Sequence, residues 1–177
     1  IPPIGDAAPG AANNTSEFSL PVTVLKPGEL RFSIAAYTVN EAGPTATITV
    51  QPINGSEGAV SVNYATSNGT AIQPGDYGSA AGTLTWANGD STSKTFTVSI
   101  ANDSLDESNE TVQLALSNPT GGAKLVAPSI ATLTIQDNDS AALSINNVTK
   151  SEGNSGTSNF TFTVTLSNPS VVNVTVN

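Results

Sequence analysis

The sequence contains no cysteine, no histidine and no methionine. Without cysteine there is no disulfide framework, and without cysteine or histidine there is no thiolate or imidazole metal site and no Cys–His catalytic pair. Basic residues are also few, because five Lys and Arg stand against fourteen Asp and Glu, for a formal charge of −9. So few cations cannot neutralise a row of phosphates, and we therefore expect no nucleic-acid partner.

Charged residues in general and long apolar runs are scarce as well. Charged residues make up 11% of the chain, under half of the usual share of about 25%. No run approaches the roughly 18 apolar residues that a membrane span requires, so no span is expected. The first residues carry neither an initiator Met nor a signal-peptide pattern. We interpret the chain as a processed or excised piece of a longer secreted protein, with an extracellular or cell-surface location.

The chain does contain a repeated alternation of apolar and polar residues. Ala46, Ile48 and Val50 alternate with threonines, which is the pattern of a half-buried strand. The same period recurs, between Asn-Gly and Pro-Gly turn signals, at 60–64, 84–86, 96–100, 112–116 and 131–135. With residues 30–40 as a first strand, the pattern predicts an all-β fold, a seven-stranded antiparallel immunoglobulin-like β-sandwich.

An internal repeat predicts the domain organisation. Ser33-Ile34 recurs as Ser144-Ile145, and Glu41 recurs as Glu152 at the same offset of 111 residues. We expect a linker with one possible extra strand (18–25) at 1–29, a complete domain at 30–139, and the first strands of a second copy at 140–177. Three strands cannot bury both faces of a sandwich. Neighbouring domains of the same chain, or other copies of it, are therefore the expected partners.

Acidic residues concentrate at one end of the predicted sandwich. Consecutive antiparallel strands alternate in direction, so the loops at that end carry eight of the fourteen acids: Glu41, Asp76, Asp103, Asp106, Glu107, Glu110, Asp137 and Asp139. Carboxylates that converge without a basic partner repel unless they are protonated or share a cation. Such oxygen ligands suit Ca²⁺ better than Mg²⁺ or Zn²⁺. The alternative is chance clustering of solvated surface acids.

Several of these stretches resemble the sequence motifs of the Calx-beta domain. VNEAG at 39–43 resembles its V-x-E-x-G opening, and VNYATSNGTA at 62–71 resembles its V-x-Y-A-T-x-D-G-T-A segment. The remaining matches are DY at 76–77, GTLTW at 82–86, NDSLDESNE at 102–110 and TIQDND at 134–139. The resemblance covers 30–139 fully and 140–177 as a partial second copy.

The resemblance implies calcium ligands, because the matching positions are ligands in calcium-binding members of that family. The implied set is Glu41, Asp76, Asn102, Asp103, Glu107, Glu110, Asp137 and Asp139. Asn102 and Asn138 stand where the family has acids, so the charge of the site is reduced. Asp106 has no ligand counterpart, and we expect it to be a solvated loop acid.

Three functions remain open, and none is enzymatic, since no aromatic cleft surrounds the carboxylates. The first is a calcium-binding structural or adhesive repeat of a surface protein, in which Ca²⁺ stiffens the interdomain junction at Asp139-Ser140. The second is a self-assembling surface filament, held by strand exchange through 18–25 or 160–177. The third, a carbohydrate-binding module, needs exposed aromatic platforms, for which only Tyr37 and Tyr77 are available. The sequence also contains ten Asn-x-Ser/Thr sequons, which we attribute to its high content of Asn, Ser and Thr rather than to glycosylation.

Overall fold

The computed structural model describes residues 24–176, and the regular secondary structure there is entirely β-strand. Residues 1–23, with most of the predicted linker and extra strand, lie outside the described part. Residues 24–176 contain no helical segment with the length and hydrophobicity of a membrane span. The strands are β1 (Glu29–Phe32), β2 (Ala36–Asn40), β3 (Thr45–Ile53), β4 (Val60–Asn68), β5 (Ala81–Trp86), β6 (Lys94–Ser99), β7 (Glu110–Ser117), β8 (Lys124–Leu125), β9 (Ile130–Gln136), β10 (Leu143–Ile145) and β11 (Val164–Leu166).

Nine of these strands build two sheets that enclose one apolar core. The orders are β6-β3-β1-β8 and β2-β9-β7-β4-β5. The alternation decides which side chains enter the core: Ile48 of β3, Leu114 of β7 and Leu133 of β9 are fully buried. The residues that alternate with them, such as Thr47, Gln113 and Thr132, are partly or fully exposed. The predicted all-β sandwich is thus confirmed, although its two sheets contain nine strands where the pattern predicts seven.

The region predicted as one first strand, 30–40, forms two strands in different sheets. β1 pairs with β3, and β2 pairs with β9. The physical reason is the odd spacing of Phe32 and Tyr37, which an unbroken strand would place on opposite faces. The break at 33–35 buries both rings, and they meet edge to face with centroids 6.4 Å apart.

The sandwich is mixed, so the expectation of purely antiparallel pairing is wrong for two pairs. β1 runs parallel to β8, and β2 runs parallel to β9. Parallel pairing joins strands that are far apart in sequence, and here it joins the beginning of the domain to its last strand. Because β2 and β9 run in the same direction, they end side by side, with Asn40 opposite Gln136. The acidic residues that follow both strands therefore lie at one edge.

Residues 140–176 add a small separate sheet. β10 and β11 pair antiparallel, with Leu143 opposite Leu166. Leu143 lies 111 residues after Phe32, and Phe32 is opposite Val50 of β3. The β10–β11 pair therefore has the same antiparallel relation as β1 and β3. The apolar side chains of β10 and β11 are exposed.

Candidate metal centre

The acidic site begins where three neighbouring strands meet the end of the sandwich. Glu41 follows β2, Asp137 follows β9, and Glu110 begins β7. β9 lies between β2 and β7, and Glu110 is opposite Ile135. The backbone amide of Glu41 donates to the carbonyl of Gln136 at 2.9 Å. Sheet register alone therefore brings these three carboxylates to one edge.

Two loops bring further carboxylates to this edge. Asp76 is held by a turn, in which its amide donates to the carbonyl of Ile72 and its Oδ2 accepts from the amide of Ile72 at 2.6 Å. The carbonyl of Asp76 accepts from the amide of Ala101 at 2.9 Å. That bond ties the turn to the start of the 101–109 loop. The amide of Asp103, on this loop, donates to Glu41 Oε1 at 3.1 Å.

The carboxylates form two groups of three. Within each group, one oxygen of every carboxylate lies within 4.8 Å of the others. Asp137 lines the same cleft; its Oδ2 accepts from the amide of Glu107 at 3.4 Å and its Oδ1 from that of Asp139 at 3.3 Å. The groups are Glu41, Asp103 and Asp139, and Asp76, Glu107 and Glu110.

Seven of the eight implied ligands therefore converge, and Asn102 is the exception. Its side chain is exposed, and its amide nitrogen donates to the carbonyl of Asp103 at 3.2 Å. Asn109, which the sequence reasoning missed, does contribute to the edge, because its Oδ1 accepts from the amide of Asp137 at 3.2 Å. Neither its residue type nor its spacing in the sequence indicates this role, because the contact forms only where the end of β9 lies next to the start of β7.

The cleft is negatively charged and has no cationic partner among residues 24–176. In residues 24–176 an ion pair joins Lys94 Nζ to Asp90 Oδ2 at 3.0 Å, where the β5–β6 turn meets β6 and apart from these carboxylates. Glu41 is 8% exposed, and Asp139 Oδ2 is buried with no hydrogen-bond partner in the part of the chain that the structure describes. A buried oxygen without a donor is costly to the fold. Among the described residues, the arrangement thus lacks a positive charge.

The pKa values of three glutamates are raised, as expected for carboxyl groups that lie close together without a positive charge nearby. Burial raises the pKa of Glu41; the amide of Asp103 partly offsets this, and neighbouring carboxylates add to it. Burial, followed by the charges of Asp76 and Asp103, raises the pKa of Glu107. Burial, followed by the hydrogen bond with Asp76, raises the pKa of Glu110 to about 7. A cation would favour the ionised form of all three.

The donor set fits calcium. Every candidate ligand is an oxygen, and hard oxygen ligands in numbers of six to eight are the usual environment of Ca²⁺. The buried oxygen of Asp139, which has no partner in the described part of the chain, points to a bound cation. Glu41, Asp103 and Asp139 would hold one ion, and Asp76, Glu107 and Glu110 would hold another, with Asp137 between them.

The expectation that Asp106 is a solvated loop acid is wrong. Asp106 is half-buried, and its Oδ2 lies 2.8 Å from the hydroxyl of Ser170, in the segment that follows the sandwich. No local pattern indicates this contact, because it joins residues 64 positions apart.

The hypothesis of a carbohydrate-binding module is not supported by the positions of the tyrosines. It requires exposed aromatic side chains, and Tyr37 and Tyr77 are both buried.

Comparisons with known proteins agree with this geometry. Residues 26–139 match the Calx-beta domain family. The chain is 39% identical over 103 residues to adhesion G-protein coupled receptor V1 of Danio rerio; the match spans 58% of this chain and 2% of that receptor.

Solved structures are similar over the same region. The apo form of the Calx CBD1 domain is 31% identical, with a TM-score of 0.60, covering 63% of this chain and 97% of that domain. The calcium binding domain CBD12 of CALX1.1 is 31% identical, also with a TM-score of 0.60, covering 63% of this chain and 45% of that structure. The Calx CBD2 domain, at 19% identity and a TM-score of 0.59, shares the fold.

Proposed function

Because the chain belongs to the Calx-beta family, a family of calcium-binding domains, we propose that its acidic cleft binds Ca²⁺. The bound ion would also stiffen the junction between the sandwich and the residues that follow Asp139. The observation that supports the proposal is Asp139, whose Oδ2 is buried without a partner among residues 24–176 and whose carboxylate has an oxygen within 4.8 Å of oxygens of Glu41 and Asp103. These three residues come from three different parts of the chain. A cation shared among them would hold those parts together.

The stiffening follows from where the ligands are attached. Asp137 and Asp139 belong to the segment that leads from β9 to β10, whereas the other carboxylates belong to the sandwich and its loops. Bound calcium supplies a positive charge that these carboxylates share. Binding to the folded state alone would stabilise it by about 2.7 kcal/mol when free calcium is a hundredfold above Kd.

A structural or adhesive repeat of an extracellular surface protein is the context that we propose. The matched receptor is an adhesion receptor by name, which supports a cell-surface setting. A composition poor in charge and rich in Thr, Ser and Asn is also typical of extracellular β-modules. Calx-beta domains are binding and regulatory domains, which supports a non-catalytic role for this chain.

The test is isothermal titration of the calcium-depleted full chain with CaCl₂ and, separately, MgCl₂. We expect saturable heat with calcium, and an affinity at least about tenfold lower in Asp139→Asn, because calcium affinity follows ligand charge. Asp90→Asn is the matched control, since it makes the same change in the β5–β6 turn, away from the acidic cleft. No calcium heat in the wild type would overturn the proposal.

A specific observation also favours the second candidate, a filament subunit that associates through its exposed strands. Apolar side chains of the small β10–β11 sheet face solvent: Ile145 is 62% exposed and Val164 is 55% exposed. A strand from another copy could pair with an edge of this sheet, and the apolar faces of the joined sheet could then pack against another copy. Sedimentation velocity over a wide concentration range tests it, and a monomer at every concentration would rule it out.

A further inference from the structure

We infer that Asp106 is an interdomain anchor, through which the outer side of the acidic loop holds residues 169–171 of the segment that follows the sandwich. The partner is this chain's own Pro169-Ser170-Val171. The anchor itself is independent of metal, whereas its coupling to calcium rests on the proposed function.

The contact uses the backbone on both sides of Asp106. Its amide donates to the carbonyl of Pro169 at 3.0 Å, and its carbonyl accepts from the amide of Val171 at 3.1 Å. Together these bonds form a parallel β-bridge between Asp106 and Ser170. A loop residue and a distant segment thus pair as two short strands, which fixes the direction of the segment as well as its position.

The side chain of Asp106 completes the contact. The hydroxyl of Ser170 donates to Asp106 Oδ2 at 2.8 Å, and Ser170 Oγ accepts from the amide of Val172 at 3.2 Å. A hydrogen bond to a carboxylate is stronger than one between neutral groups. Asp106 and Ser170 are both half-buried, although most of the residues around them are exposed.

The same loop is fixed to the acidic cleft on its other side. The amide of Asp103 donates to Glu41 Oε1, and the amide of Glu107 donates to Asp137 Oδ2. Asp106 is the immediate neighbour of Glu107, yet its carboxylate contacts Ser170 rather than the cleft. The five-residue stretch 103–107 therefore has two sides. Its candidate ligands, Asp103 and Glu107, contact the acidic cleft, whereas Asp106 contacts the segment at 169–171.

This arrangement couples the two sites. If an ion fixes the positions of Asp103 and Glu107, it also fixes the backbone that pairs with Ser170. Coupling between two sites is reciprocal, so a docked 169–171 segment would raise calcium affinity by the same factor by which calcium favours docking. Asp106 would thus influence calcium binding without being a ligand.

The absence of cysteine makes a direct test possible. Cysteines introduced at the exposed Thr97 of β6 and Thr165 of β11 accept spin labels in the full chain, and electron–electron double resonance then gives the distribution of distances between sandwich and segment. Dilution with unlabelled protein separates contacts within one chain from contacts between copies. The distribution is measured in EDTA and in CaCl₂, with circular dichroism as a check on folding.

The variants are Asp106→Ala and Ser170→Ala, and Ser104→Ala is the control on the same loop. We expect a narrow distribution in the parent and in Ser104→Ala. In the other two variants the ratio of docked to undocked molecules should fall about three- to tenfold in EDTA, the usual effect of losing one hydrogen bond. Ser170 lies outside the sandwich, so its variant tests the anchor even if Asp106→Ala perturbs folding.

The outcomes separate this inference from the proposed function. If calcium binds but Asp106→Ala and Ser170→Ala both keep the parent distribution, the anchor is wrong and the calcium site stands. If calcium does not bind but both variants broaden the distribution, the anchor stands and the calcium site is wrong. A narrow peak that disappears on dilution with unlabelled chain would overturn the anchor, because the partner would then be a second copy.

Discussion

Asp139 is a carboxylate that lies close to other carboxylates at the acidic end of the sandwich. One of its carboxylate oxygens is buried without a donor among residues 24–176, and one oxygen each of Glu41 and Asp103 lies within 4.8 Å of its carboxylate. Like charges at such distances repel, and burial weakens the screening by water. Without a cation, this position therefore destabilises the folded chain.

We predict that Asp139→Asn makes the calcium-free protein more stable. Removal of one of three converging charges should raise the free energy of unfolding by about 1 kcal/mol, as measured by urea denaturation in EDTA. The same substitution at Asp90 removes the ion pair with Lys94 and should not stabilise the protein. Loss of stability in Asp139→Asn would show that the carboxylate is satisfied within the fold.

Glu110 predicts a pH dependence of the calcium-free protein. Its pKa rises from the ordinary value of 4.5 to about 7 on folding, so between those values the folded state binds more protons than the unfolded state. The free energy of unfolding should therefore fall as pH rises from about 4.5 to about 7. Urea denaturation in EDTA across that range measures the slope. Glu110→Gln should flatten it, and an equally steep slope in that variant would contradict the assignment.

At the scale of strands, period-two alternation determines which residues hold the two sheets together. Leu114 of β7 is fully buried, whereas Ile130, on the neighbouring β9, is 65% exposed. We predict that Leu114→Ala lowers the free energy of unfolding by about 2–5 kcal/mol through loss of buried surface and the resulting cavity. Ile130→Ala, the matched control, should change it by less than about 0.5 kcal/mol. Similar losses in both variants would contradict the observed burial.

The same alternation shows how much of the fold the sequence predicts. Ala46, Ile48 and Val50 occupy core positions because a half-buried strand needs a period of two, which is a local property. The division of residues 30–40 between two sheets was not predicted, although the odd spacing of Phe32 and Tyr37 is its physical cause. The parallel pairing of β2 with β9 is non-local, and no single segment indicates it.

The candidate site divides in the same way. The alternating strand directions predict that Glu41, Asp103 and Asp137 share one end. In the structure, Glu41 and Asp137 line one cleft, and a carboxylate oxygen of Asp103 lies within 4.8 Å of one of Glu41. The grouping into two sets of three depends on backbone hydrogen bonds such as Asp103 to Glu41, which no spacing indicates. The contact of Asp106 with Ser170 depends on the position of a second segment. Whether the set binds calcium remains a prediction.

At the scale of the whole molecule, the charge of −9 is distributed unevenly. Eight of fourteen acids come from the loops at one end, and the segment that follows the sandwich leaves from that end. Calcium binding would reduce the repulsion and hold the segment close, whereas depletion would leave it held mainly by the Asp106 anchor. The chain is thus expected to be stiffer in calcium-rich surroundings.

The most direct test of the central claim is thermal unfolding of the full chain in excess EDTA, in millimolar CaCl₂ and in MgCl₂ as a control. If the acidic cleft binds Ca²⁺, calcium should raise Tm by roughly 10 °C at a hundredfold excess over Kd, and magnesium should have little effect. Equal Tm values in EDTA and CaCl₂ would contradict a calcium site, and association through the exposed β10–β11 sheet would then become the leading account.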